Sequence, residues 1–189
     1  MCSPEEIVKT ARRMAELGLV LGSFGNVSCR SGSGERVLIT PTKLDYSAME
    51  PEDIVALDLE GRKLEGRREP SSEFRMHLAI YRAREDVRAI VHAHGVFGLA
   101  LSLVASELPA LTEEMEHGLG GPVKVAPYAP AGSQELADRA AELLRRGGKA
   151  LILARHGLVG LGKDLEEALF VCRLVERAAQ IYLLARAGE

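Results

Sequence analysis

Aromatic side chains are scarce in this 189-residue sequence, making up 4% of it, and tryptophan is absent. Little material is left for stacking exposed bases. With 24 Lys and Arg against 27 Asp and Glu, the chain as a whole does not attract a polyanion, so no nucleic-acid partner is expected. The basic pairs Arg12/Arg13, Arg67/Arg68 and Arg145/Arg146 are interleaved with acids or lie on polar helix faces, and read as solvated surface. Long apolar runs are also missing. The stretch from Leu99 to Ala105 falls far short of the roughly 20 residues needed to span a bilayer, and MCSPEEIVK lacks the basic-then-apolar order of a secretory leader. A cytoplasmic protein with no membrane partner is expected. Cys2, Cys29 and Cys172 form neither a C-x-x-C pair nor an even-numbered framework, and are expected to be free thiols at core or terminal positions.

What the sequence does have is ordinary globular material, 47% hydrophobic and 27% charged, at a length that suits one domain covering residues 1–189. Ser3-Pro4-Glu5-Glu6 supplies a cap, a first-turn proline and a capping-box acid for a helix to about Leu17. Short strands are expected at VSCR, at VLIT before Pro41 and at IVALDL, with a turn or short helix at PEDI and a hairpin centred on Glu60-Gly61. Ser71 or Ser72 can cap a helix running to about Arg84, with Glu73 in its first turn. VRAIVHAH reads as a buried strand followed by a helix after Gly95. Strands near Ala110 to Thr112 and Val123 to Ala126 precede a helix capped by Ser133 and ended by Gly147-Gly148. A strand pair, Lys149 to Ala154 and Gly157 to Leu161, leads to a long helix capped by Asp164. Hairpins mixed with helices, instead of alternating strand-helix-strand units, indicate an α/β fold with a mixed, largely antiparallel sheet.

Only five histidines occur, and three of them end strand-like segments: His92 and His94 in AIVHAHG and His156 in ALILARHG. In a strand, side chains two apart share a face, so His92 and His94 can converge on one ion and His156 can complete a three-nitrogen set. Three neutral imidazoles suit zinc or another divalent metal and leave positions open for substrate. The competing reading is three ordinary core or loop histidines. Glu73 is either a first-turn acid serving the helix dipole or a proton-moving carboxylate beside that metal. His77, one turn later, reads as a surface residue or a support behind the site, and His117 as a loop residue. Gly25-Asn26, Thr40-Pro41-Thr42-Lys43 and Pro70-Ser71-Ser72 are either plain turns and caps or the N–H and hydroxyl donors of a phosphate site. No P-loop or dinucleotide motif is present.

GNVSCR, ITPT, EPSSEFRMHLAIYRA, AIVHAHG, APYAPAGSQEL and RHGLVGLGKDLEEAL, in this order, resemble the class II aldolase/adducin family over about residues 5 to 187. The resemblance implies a three-layer α/β/α fold, usually a homotetramer with active sites between subunits. It implies zinc on His92, His94 and His156, an acid/base at Glu73, and phosphate binding at Gly25, Asn26, Thr42, Ser71 and Ser72. The reaction would be reversible cleavage of a small ketose 1-phosphate to dihydroxyacetone phosphate and an aldehyde, through a metal-stabilised enediolate. Dehydratases of methylthioribulose phosphate, other lyases and epimerases, and noncatalytic adducin-like modules share the family; a glutamate at position 73 leans toward the aldolases. The departures lie mostly on the aldehyde side. Glu113 stands where these aldolases carry a tyrosine, Ala131 where they carry an aromatic, and the sequence given ends at Glu189, before a further tyrosine of theirs. Lys43 replaces a glycine beside the phosphate-binding threonine, where it would add a charge contact or point outward.

Overall fold

In a computed structural model of the chain, which describes residues 2–32 and 34–187, nine strands form one sheet among the described residues. They are β1 (Asn26–Ser31), β2 (Arg36–Ile39), β3 (Val55–Asp58), β4 (Lys63–Glu65), β5 (Ala89–Ala93), β6 (Glu107–Leu108), β7 (Val123–Ala126), β8 (Ala150–Leu153) and β9 (Gly157–Gly162). The spatial order is β4-β3-β2-β1-β5-β9-β8-β7-β6. Every pairing is antiparallel except β7 with β8, which matches the mixed, largely antiparallel sheet expected. The helices are α1 (Pro4–Glu16), α2 (Phe74–Ala83), α3 (Val96–Leu101), α4 (Glu113–Leu119), α5 (Gln134–Leu144) and α6 (Leu165–Arg186).

Strand alternation separates two cores and so makes three layers. On one face Val27, Cys29, Val91 and Ala93 pack with Ile7 and Met14 of α1 and Val171 and Val175 of α6. On the other, Val37, Ile39, Ile90 and Val159 pack with Met76 and Ile80 of α2 and Leu136 and Ala140 of α5. The second layer is thus α2 with α5, and the first holds α1, α3, α4 and α6. Glycine lets α6 lie directly on β9: a Cβ at Gly160 would sit 2.5 Å from the Ala168 carbonyl and 2.7 Å from the Cys172 sulfur.

Three expectations are corrected. Cys2 and Cys29 are not free thiols but form a disulfide, whereas Cys172 is the buried free thiol expected. Capping of α1 by Ser3 carries residue 2 over the face of β1 that presents Cys29, a juxtaposition that a 27-residue separation gives no hint of. Cys2→Ser is expected to lower unfolding free energy by about 3–4 kcal/mol, the chain entropy released by opening such a loop. Thermal unfolding with and without a thiol reductant checks it: reductant should bring the native chain down to the variant and leave the variant unmoved. Second, Ala110 to Thr112 is not a strand. The strand lies earlier, at Glu107–Leu108, and Thr112 instead caps α4 through its hydroxyl and the Met115 N–H, so His117 sits in a helix and not a loop. That helix is only seven residues long, too short for apolar periodicity to announce it. Third, α2 starts at Phe74, and Glu73 is its cap residue instead of a first-turn acid. Its side chain makes no capping bond, which leaves the carboxylate free to turn toward the sheet.

Candidate active site

The three histidines meet at the ends of the central strands. His92 is the penultimate residue of β5, on its α2 face, and its Nδ1 donates to the Leu158 carbonyl of β9 at 3.0 Å, so Nε2 is the atom directed outward. His94 lies just past β5, anchored by its N–H to the Leu19 carbonyl at 2.8 Å, with its ring stacked on Phe24. His156 occupies the tight turn between β8 and β9, where Arg155 takes a positive φ of 60°. Gly157 follows, and a Cβ there would strike the Ala93 carbonyl at 2.3 Å and press on both neighbouring histidine rings.

The His92 Nε2 atom is 3.0 Å from His94 Nε2 and 3.3 Å from His156 Nε2. Glu73, entering from α2, places Oε2 3.0 Å from His92 Nε2 and Oε1 3.2 Å from His156 Nε2. All four ligand atoms lie within 4.8 Å of one another. Burial would raise the Glu73 pKa, but His92, His156 and the Asn26 amide outweigh it and hold the carboxyl far below the usual range. Burial, reinforced by His92, pushes His94 down to about 3 and His156 down to about 4, so both rings are neutral. Burial also opposes charge on His92, yet the adjoining carboxylate prevails and raises that ring's pKa. Imidazole nitrogens and a carboxylate crowded this closely need positive charge between them. A divalent cation would supply it, and these four spacings of 3.0 to 3.3 Å are near the edge of about 3.3 Å expected between ligands around zinc. Glu73 Oε1 is buried with no hydrogen-bond partner, which also fits a cation not supplied by the chain.

The three polar turns read separately in the sequence are stitched side by side. Ser71 N–H donates to the Thr40 carbonyl, Thr42 N–H to the Glu69 carbonyl, and Pro41 bridges Pro70. The Thr40 hydroxyl accepts the Val27 N–H, tying both segments to β1. Gly25, with φ of 76°, precedes it, and a side chain there would meet the His92 carbonyl at 2.6 Å. Asn26 pairs across β1 and β5 with His92 and donates to Glu73 Oε2 at 2.9 Å. Ser71 is buried, its hydroxyl accepting the Glu73 N–H, while Ser72 is exposed. Lys43 is exposed with φ of 57°, which explains why a glycine suits this position. Lys43→Gly is expected to stabilise the fold by about 1 kcal/mol, read from urea unfolding, because it removes a left-handed β-carbon.

On the aldehyde side the placement is uneven. Ala131 is carried by a loop whose next residue, Gly132, would drive a Cβ to 2.8 Å from the Ser72 carbonyl, so it lies beside the serine turn. Glu113 begins α4, in the layer opposite α2, and no hydrogen bond or ion pair among the described residues joins it to the cluster. Sequence reasoning alone misses Ser28 and Tyr81; both are buried, Ser28 bonded to His77 and Tyr81 to Ser28, behind Glu73. Their signal was the four-residue spacing of Glu73, His77 and Tyr81 opposite Asn26-x-Ser28.

A three-layer α/β/α fold with three imidazoles and a carboxylate gathered at the end of its central strands defines a metalloenzyme-type site. Comparison with known proteins places it further. Residues 5–183 match the family described as "Class II Aldolase and Adducin N-terminal domain". The 5-deoxy-D-ribulose 1-phosphate aldolase of Bacillus thuringiensis serovar kurstaki is 40% identical over 180 residues, covering 94% of this chain and 83% of that one. The L-fuculose phosphate aldolase of Escherichia coli is 39% identical over 178 residues, covering 94% and 81%. A solved structure of L-fuculose 1-phosphate aldolase superposes with a TM-score of 0.92 at 36% identity, over 97% of this chain and 86% of the other. The chain belongs to the class II aldolase and adducin family, and within it is a class II aldolase, an aldehyde-lyase.

Proposed function

We propose that the protein reversibly cleaves a small ketose 1-phosphate, of the L-fuculose 1-phosphate type, to dihydroxyacetone phosphate and an aldehyde. The observation that carries this reading is the Glu73 carboxylate set against His92 and His156 at the end of hydrogen-bonded polar turns. His92, His94 and His156 would hold zinc or another divalent metal, which when bound stabilises negative charge developing on the substrate carbonyl oxygen. Gly25, Asn26, Thr42, Ser71 and Ser72, with Lys43 at the rim, are assigned to the phosphate. Ala131 and Glu113 are assigned to the aldehyde.

In cleavage the bond between C3 and C4 breaks, its electron pair passes toward the C2 carbonyl, and the C4 hydroxyl gives its proton to the Glu73 carboxylate as the aldehyde forms, so that no proton is gained or lost overall. A proton then returns to C3. Glu73 moves that proton: as carboxylate it takes it from C3 of dihydroxyacetone phosphate in synthesis, and by microscopic reversibility gives it back in cleavage. Both curated relatives named above carry names that describe ketose 1-phosphates, which supports the substrate class. We place the chain as one domain in a cytoplasmic homotetramer with sites between subunits.

Metal-loaded protein incubated with L-fuculose 1-phosphate and 5-deoxyribulose 1-phosphate should release dihydroxyacetone phosphate, read by a coupled reductase. Absence of that product from every ketose 1-phosphate offered would overturn the cleavage reading, and loss of water without fragmentation would assign a dehydratase instead.

A further inference from the structure

Behind Glu73 lies a column of buried polar side chains that the proton-transfer scheme does not use. Three come from α2 at helical spacing, Glu73, His77 and Tyr81, and three from β1 at strand spacing, Asn26, Ser28 and Arg30. The two sets interleave. Asn26 Nδ2 donates to Glu73, Asn26 Oδ1 meets His77 Nε2 at 2.5 Å, His77 Nδ1 meets the Ser28 hydroxyl at 2.6 Å, and that hydroxyl meets the Tyr81 phenol at 2.9 Å. Arg30 closes the column, donating to the Tyr81 carbonyl with its guanidinium 5.0 Å over the Tyr81 ring.

Each direction in this chain follows from the one before. A carboxylate only accepts, so the Asn26 amide nitrogen must face Glu73 and its oxygen must face His77. That oxygen only accepts, so His77 carries its proton on Nε2. Burial pushes the His77 pKa down to about 3, so Nδ1 is bare and accepts from Ser28. The Ser28 oxygen in turn accepts from Tyr81, whose phenol burial keeps protonated. An amide does not pass protons along, so the column orients and does not conduct. Apolar residues of similar volume would pack here with no such demand for satisfied partners.

We infer that His77, locked by Ser28 and Tyr81 as its Nε2–H tautomer, is a positioning residue that fixes the Asn26 amide and thereby aims the Glu73 carboxylate. This rests on the reading of Glu73 as the proton mover. If Asn26 turned over, its oxygen would oppose the carboxylate and drive it from its place beside His92 and His156.

The test combines turnover with nitrogen-15 NMR of the metal-loaded protein. His77→Phe is expected to lower kcat about 10- to 100-fold, the range seen when a supporting shell is removed, with KM within about 3-fold and metal content unchanged. His77→Gln, which can donate to Asn26 and accept from Ser28, should recover kcat to within about 5-fold of the native chain. Should His77→Phe fail to fold, Ser28→Ala removes one hydroxyl and is expected to cut kcat several-fold while freeing the tautomer. Native His77 should show a protonated Nε2 and a bare Nδ1. A proton on Nδ1, unchanged kcat in His77→Phe or Ser28→Ala, or a Gln variant as slow as the Phe variant would overturn the inference. Glu73→Gln in the same assay separates the two ideas: full turnover there ends the proton-mover reading, whereas the tautomer assignment is read without reference to turnover.

Discussion

Replacing Glu73 by glutamine is expected to slow turnover about 10²- to 10⁴-fold while leaving the metal in place. The side chain keeps its length, and its amide oxygen can still accept from Asn26, so its place beside His92 survives. What is lost is basicity. The native carboxyl is held ionised by His92, His156 and Asn26 despite its burial, and no other carboxylate belongs to the cluster among the described residues. The measurement is exchange of the C3 hydrogen of dihydroxyacetone phosphate with deuterated water, together with metal content by elemental analysis. Exchange at the native rate would remove Glu73 from the role, and loss of metal would show it to be a ligand instead.

A second substitution should cost more. His92→Ala is expected to empty the metal site and lower activity by about 10³-fold or more, since Lewis-acid stabilisation is worth several kcal/mol of barrier. His92 is the member whose Nε2 lies within 3.3 Å of both other rings and within 3.0 Å of Glu73, so its removal breaks three of the four contacts that gather the group and leaves only that of Glu73 with His156. It also removes the hydrogen bond from its Nδ1 to the Leu158 carbonyl of β9. His94→Ala should lose the metal with less effect on stability, because that residue stands beyond the strand and is partly exposed. Chelation of the native chain followed by readdition of zinc supplies the control, and full activity after exhaustive chelation would overturn the metal role.

Much of this site could be read from the sequence because its parts obey short periods. Two histidines two apart on an apolar strand share a face, and the turn before Gly157 brings in the third. The helices at Ser3, Ser133 and Asp164 were legible from their caps, and the caps form as read. Failures arose where the deciding contact is distant or the element short. Nothing local ties Cys2 to Cys29, and seven residues of α4 are too few to show a period. The sequence around His77 does not separate a surface residue from a support, because its partners, Asn26 and Ser28, lie 51 and 49 residues away. The burial that makes it informative exists only once β1 and α2 have met.

The pairing of Asn26 with His92 has a consequence for how the chain assembles. A strand that slips by one residue exchanges its two faces. In β1 such a slip would turn Asn26, Ser28 and Arg30 into the apolar layer under α1 and α6, and would set Val27 and Cys29 against His77 and Tyr81. The misaligned form would bury three unsatisfied polar groups and separate Cys29 from Cys2. The polar column therefore acts as a proofreading key for the sheet, so that a chain able to catalyse has, by the same contacts, been checked for alignment.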